Sequence, residues 1–117
     1  MIDKIGIGID IVDVKQFEKI SYLKKPSFYK RTFFPSEIKY CLKYKNPYEH
    51  FAGKFAIKEA VIKSIPEKIS ILDVETIHLG SKPKIRIKSK VGKKYNFLVS
   101  VSHEKQFAIA VVISEKL

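Results

Sequence analysis

Glu59 and Lys63 stand four residues apart in FAGKFAIKEAVIK, residues 51–63, and Lys58 precedes Glu59 directly. Four residues are about one helical turn, so on a helix the acid and the amine stand side by side. Such a pair can hold a metal ion and a phosphate at once. A second carboxylate, Asp10, lies in a different context, the strand-like run IGIGIDIV. Two carboxylates with open positions suit a hard cation such as magnesium, which keeps waters and takes further ligands from substrate phosphate. A neighbouring lysine can neutralise a phosphate oxygen or protonate a leaving group, as phosphoryl-type transfer requires. Each element also has a plainer reading: a Glu–Lys pair at this spacing fits a solvated surface, and an acid late in a first strand fits a helix cap.

The elements that must position these groups can be read from periodicity. Phe51, Phe55, Ile62 and Ile65 recur at helical spacing, which predicts a long helix over 48–64 ended by Pro66. Residues 4–12 alternate as a strand, with Ile5, Ile7, Ile9 and Ile11 on one face and Gly6, Gly8, Asp10 and Val12 on the other. Glycines inside a strand mark close approach of another backbone or a ligand. Short helices are predicted over 13–23, opened by Asp13, around 28–33, and from Pro35 to about Tyr44. The second half is β-like over 71–79, 84–88, 96–102 and 107–114, with a turn at Gly80-Ser81-Lys82-Pro83 and a hairpin connection at 103–106. The run FAIAVVI is apolar on both faces, so it is central in a sheet or buried against another subunit. The class is α+β, an antiparallel sheet packed on a long central helix, with 1–117 as a single domain.

Charge bounds the partner. Lys plus Arg number 23 against 12 Asp plus Glu, a net +11, which favours acidic partners. Cys41 is the only cysteine and reads as a buried small hydrophobe; a reducing cytoplasm is the natural compartment, with no signal-peptide pattern and no apolar run long enough to span a membrane. His50 and His78 read as surface residues. A small nucleic-acid-binding module without catalysis would use the same charge. Against it, the chain has no RNA-binding aromatic-glycine motif and no zinc spacing, and Glu59 interrupts the lysines 54, 58 and 63.

Taken together, GIGIDIVDV at 6–14, RTFFPSEI at 31–38, FAGKFAIKEAVIKSI at 51–65 and VSVSHEKQFAIAVV at 99–112 resemble, in order and spacing, the holo-[acyl-carrier-protein] synthases, the small 4′-phosphopantetheinyl transferases. The resemblance implies transfer of the 4′-phosphopantetheine arm of coenzyme A to a serine of apo acyl carrier protein, releasing 3′,5′-ADP, in support of fatty acid biosynthesis. It implies Asp10 and Glu59 as magnesium ligands, Glu59, directly or through a metal-bound water, as the group that takes the serine proton, and Lys63 beside the transferring phosphate. Lys54 and His103 are implied to meet the nucleotide 3′-phosphate and Ser102 to line the coenzyme groove. Lys58 is a phosphate-contact candidate, but it points about 100° away from Glu59 on the helix, so a structural role stands equally open. Lys15, Lys19, Lys24, Lys25 and Arg31 become docking candidates for an acidic carrier, and a homotrimer with sites between subunits is implied. The chain departs from the family pattern at Ser64–Ile69, where a Gly-Thr-Gly turn is usual, and at Gln16, where an arginine is usual.

Overall fold

The computed structural model describes residues 2–80 and 82–117; Ser81, in the turn predicted at Gly80–Pro83, lies outside them. The order is β1 (Ile5–Asp13), α1 (Val14–Lys19), α2 (Pro26–Thr32), α3 (Pro35–Leu42), α4 (Pro47–Ser64), β2 (Val74–Leu79), β3 (Lys82–Ile87), β4 (Tyr95–His103) and β5 (Phe107–Lys116). Single 3₁₀ turns at Ile71–Asp73 and Lys90–Lys94 precede β2 and β4. Local chemistry sets the helix ends. Asp13 accepts the Lys15 amide hydrogen at 2.9 Å and caps α1. Pro26, Pro35 and Pro47 each occupy a first helical turn, where the missing amide hydrogen costs nothing. Ile65, just before Pro66, is extended and ends α4.

β1, β5 and β4 form one antiparallel sheet in that order, and β2 pairs with β3 as a separate hairpin. β5 is thus the central strand, one of the two placements its apolar sequence allowed. Ala108, Ala110 and Val112 of β5 are buried, as are Ala52, Ala56 and Ala60 of α4, and α4 packs on both β1 and β5. Small side chains let helix and sheet approach closely. On the far side of α4, Phe17, Tyr29, Phe33 and Phe51 make an aromatic core, with the Tyr29 and Phe51 rings edge to face at 4.7 Å. Cys41 is buried within it, as predicted.

The predicted strand over 71–79 is shorter than the alternation suggested. Asp73 accepts the Ser70 amide hydrogen at 2.8 Å, and that local bond holds 71–73 as a turn until Val74.

Candidate active site

β1 lies against the backbone of α4 because two of its residues have no side chain. A Cβ on Gly6 would stand 1.8 Å from the Ser64 carbonyl oxygen, and one on Gly8 1.8 Å from that of Ala60. Two strand residues advance roughly 6.7 Å and four helical residues roughly 6.0 Å, so the two backbones run in step. The next position on that face is Asp10, which the same step carries one further turn toward the start of α4, level with Ala56, and Lys63 reaches back along the helix to meet it. Lys63 Nζ donates to Asp10 Oδ1 at 3.1 Å and to the Ile9 carbonyl at 3.2 Å. Asp10 is half-buried and Lys63 exposed. Glu59, half-buried, is one turn before Lys63 on the same helix. The structure therefore brings Asp10 and Lys63, separated by 53 residues, into direct contact.

The donor set suits a hard, oxygen-seeking cation. No group of three or more His, Cys, Asp or Glu could enclose an ion among the described residues. Two hard carboxylates that leave most coordination positions open instead suit magnesium shared with a phosphate-bearing substrate.

The adjoining turn of α4 opens a cleft of about 510 Å³ between the helix, α3, the β2–β3 hairpin and the end of β4. Lys54, Ser102 and His103 all line it. His103 ends β4, with Nδ1 3.3 Å from Glu49 Oε1. Lys54 is only 3% exposed, and its Nζ donates to Thr76 Oγ1 at 2.8 Å. Burial pushes its pKa down, opposed by the nearby Glu37 carboxylate. A second groove, about 1270 Å³ between β3 and β4, has Lys84, Arg86, Lys88 and Lys93 along it but none of the predicted site residues.

Two expectations are corrected. His50 and His78 are not surface residues but half-buried walls of the cleft. His78 stacks on Tyr40 with ring centroids 4.4 Å apart, His50 stacks on Tyr44 at 3.6 Å, and the His50 and His103 rings meet edge to face with centroids 4.8 Å apart. Burial, with Lys54 nearby, lowers the His78 pKa to about 4. Periodicity held a signal for both. His78 shares the inward face of β2 with Val74 and Thr76, and His50 lies on the same face of α4 as Lys54 and Ile57.

Lys58 is the second correction. It is fully enclosed: Nζ pairs with Glu37 Oε1 at 2.8 Å and donates to the Val74 carbonyl at 2.6 Å. Its partner Glu37 is satisfied by the Phe34 amide at 2.7 Å, the Thr76 amide at 2.8 Å and the Thr76 hydroxyl at 2.7 Å. A lysine so engaged cannot reach a ligand in the cleft. Its work is to tie α4 to α3 and β2, and removing either charge would leave the other buried and unpaired, at about 3–5 kcal/mol.

The basic residues of the early helices, Lys15, Lys19, Lys24, Lys25 and Arg31, are all exposed, as is Gln16. The sheet face turned away from α4 is apolar: Ile7 is 69% exposed, Ile9 56%, Ile11 62% and Leu98 71%. Among the described residues no helix is long and apolar enough to cross a membrane.

Comparison with known proteins converges on one group. The family model of the 4′-phosphopantetheinyl transferase superfamily matches residues 6–112. A holo-[acyl-carrier-protein] synthase of Thermodesulfovibrio yellowstonii is 35% identical over 112 residues, covering 92% of this chain and 96% of its own. One from Syntrophus aciditrophicus is 37% identical over 123 residues, covering 96% of each. Among solved structures, the Helicobacter pylori holo-[acyl-carrier-protein] synthase in complex with coenzyme A superposes with a TM-score of 0.77 at 36% identity, over 93% of this chain and 99% of that one. The Bacillus anthracis enzyme, also complexed with coenzyme A, gives 0.80 at 30% identity over 96% of both chains.

Proposed function

This chain belongs to the 4′-phosphopantetheinyl transferase superfamily, and from that premise we propose that it is a holo-[acyl-carrier-protein] synthase working from the turn where Asp10, Glu59 and Lys63 meet. It moves 4′-phosphopantetheine from coenzyme A to a serine of apo acyl carrier protein. The observation that carries the reading is the glycine-faced strand that delivers Asp10 to Lys63, 3.1 Å away, on the same helix that opens the cleft.

In the reaction the serine oxygen bonds to the phosphorus that carries pantetheine, and the pyrophosphate bond to the nucleotide breaks, releasing 3′,5′-ADP. Asp10 and Glu59 would hold a magnesium ion, which when bound would supply positive charge against the charge that develops on the leaving phosphate. Lys63 places a second positive group beside the transferring phosphate. Glu59 accepts the serine proton as the new bond forms. Lys54 and His103 bind the 3′-phosphate of the nucleotide, and Ser102 lines the groove. The half-buried walls of Tyr40, His50 and His78 exclude water from that end and so strengthen its electrostatics.

Lys15, Lys19, Lys24, Lys25 and Arg31 receive the acidic carrier, in keeping with the +11 net charge. The exposed isoleucine face supports assembly, since an apolar surface of that extent on a small chain calls for cover. The assembly we propose is a cytoplasmic homotrimer with each site completed at a subunit boundary. Asp10→Ala and Glu59→Gln proteins test the site: each is to lose at least 100-fold in transfer rate while still binding coenzyme A. Wild-type rates in excess magnesium would refute the assignment.

A further inference from the structure

Thr76 has a single hydroxyl hydrogen, and its direction is fixed by what surrounds it. Glu37 Oε2, 2.7 Å away, belongs to an ion-paired carboxylate that can only accept. The hydrogen therefore points at Glu37, and the hydroxyl lone pairs face the other neighbour, the Lys54 ammonium at 2.8 Å. An ammonium can only donate, so the polarity Lys54 to Thr76 to Glu37 has no alternative. The remaining neighbours of Nζ hold it less closely: the Thr76 carbonyl at 3.5 Å, His78 Nδ1 at 3.4 Å and the Tyr40 ring at 4.5 Å.

Charge is unbalanced in this cluster. Glu37 is already paired with Lys58 at 2.8 Å, and among the described residues no carboxylate lies within ion-pair distance of Lys54. One buried positive charge is left over, and it sits in the wall of the cleft. A desolvated cation without a counter-ion is costly, and an anion entering the cleft is what would offset it.

We propose that Thr76 is a positioning residue for coenzyme recognition: its hydroxyl, oriented by Glu37, holds the Lys54 ammonium in place to face the nucleotide phosphate. Without that acceptor the flexible lysine stem has no strong partner to fix it, and the buried charge loses the group that stabilises it. The RTFFPSEI segment thereby acquires a role in binding, through the Glu37 carboxylate, although it lies outside the cleft. This inference rests on the coenzyme reading of the cleft.

The test compares Thr76→Ala with Thr76→Ser. Both lose the same methyl group, so any difference between them isolates the hydroxyl even if the shared void lowers stability. Calorimetric titration with coenzyme A is to give a dissociation constant about tenfold weaker for T76A than for T76S, the scale of one lost hydrogen bond to a charged group. With 3′-dephospho-coenzyme A the two variants are to bind alike. In transfer assays the KM for coenzyme A follows the same split, while kcat agrees within about twofold. Equal coenzyme A binding by T76A and T76S, or an equal loss on both coenzymes, overturns the Thr76 assignment and leaves the transferase reading intact. A wild-type protein that discriminates the coenzymes but transfers nothing overturns the transferase reading alone, and one that binds neither coenzyme overturns both.

Discussion

Gly8→Ala should damage activity more than its size suggests. A methyl carbon at Gly8 would fall 1.8 Å from the Ala60 carbonyl oxygen, and real Cβ atoms essentially never come closer than 3.0 Å. β1 and α4 must therefore separate by at least about 1.2 Å at that point. The obstacle is helix backbone, which cannot rotate aside as a side chain would. Overpacking of this kind costs roughly 1–3 kcal/mol of stability. Asp10 is two residues further along the strand and moves with it, away from Lys63. A misplacement near 1 Å can cost about 100-fold in rate. Gly6→Ala is the matched control. Its Cβ would meet the Ser64 oxygen at the same 1.8 Å, but four residues from Asp10 rather than two. The assay is transfer to apo carrier at saturating coenzyme A and magnesium, below the melting temperature of both variants. G8A should lose about 100-fold in kcat and G6A at least fivefold less. Equal losses, or a G8A protein with wild-type kcat, would refute the idea that this glycine contact aims Asp10.

Further outcomes follow from the rest of the structure. Between about pH 4 and the ordinary histidine value of 6.5, His78 binds a proton in the unfolded chain but not in the folded one. Stability must then rise with pH across that window and fall as the solution is acidified. Chemical denaturation of His78→Phe, which keeps a ring against Tyr40, should show a flatter acid limb; an unchanged limb would contradict the burial account. If the early helices dock an acidic carrier, its KM should rise several-fold from about 0.1 M to about 1 M salt, as the Debye length shrinks from about 10 Å to about 3 Å. A salt-independent KM would remove Lys15, Lys19, Lys24, Lys25 and Arg31 from that role. If the isoleucine face is the proposed subunit interface, wild type should sediment as an oligomer and Ile9→Glu as a monomer; a wild-type monomer, or a variant that still assembles, would remove that face from assembly.

Much of the arrangement was legible in the chain because it depends on local pattern. The alternation around Gly6 and Gly8 gave the strand, the absent side chains signalled close approach, and the close approach explains where Asp10 lands. Strand order was not legible, because the apolar run of β5 suits a central strand and a subunit interface equally. Lys58 illustrates the limit better. In sequence it stands beside Glu59 and carries the same charge as Lys54 and Lys63. Only the fold brings Glu37, 21 residues earlier, to 2.8 Å and turns that lysine into a structural one. His50 and His78 were missed because a histidine is judged by its neighbours, and theirs, Tyr44 and Tyr40, come from elsewhere in the chain. Thr76 carries no signature at all until the Glu37 and Lys54 contacts show which way its hydroxyl points.

The most direct measurement is the mass of the carrier itself. Apo acyl carrier protein incubated with this protein, coenzyme A and magnesium should gain the mass of one phosphopantetheine, at the serine, with one equivalent of 3′,5′-ADP released. A carrier of unchanged mass, under conditions where an authentic holo-[acyl-carrier-protein] synthase modifies it fully, would contradict the account.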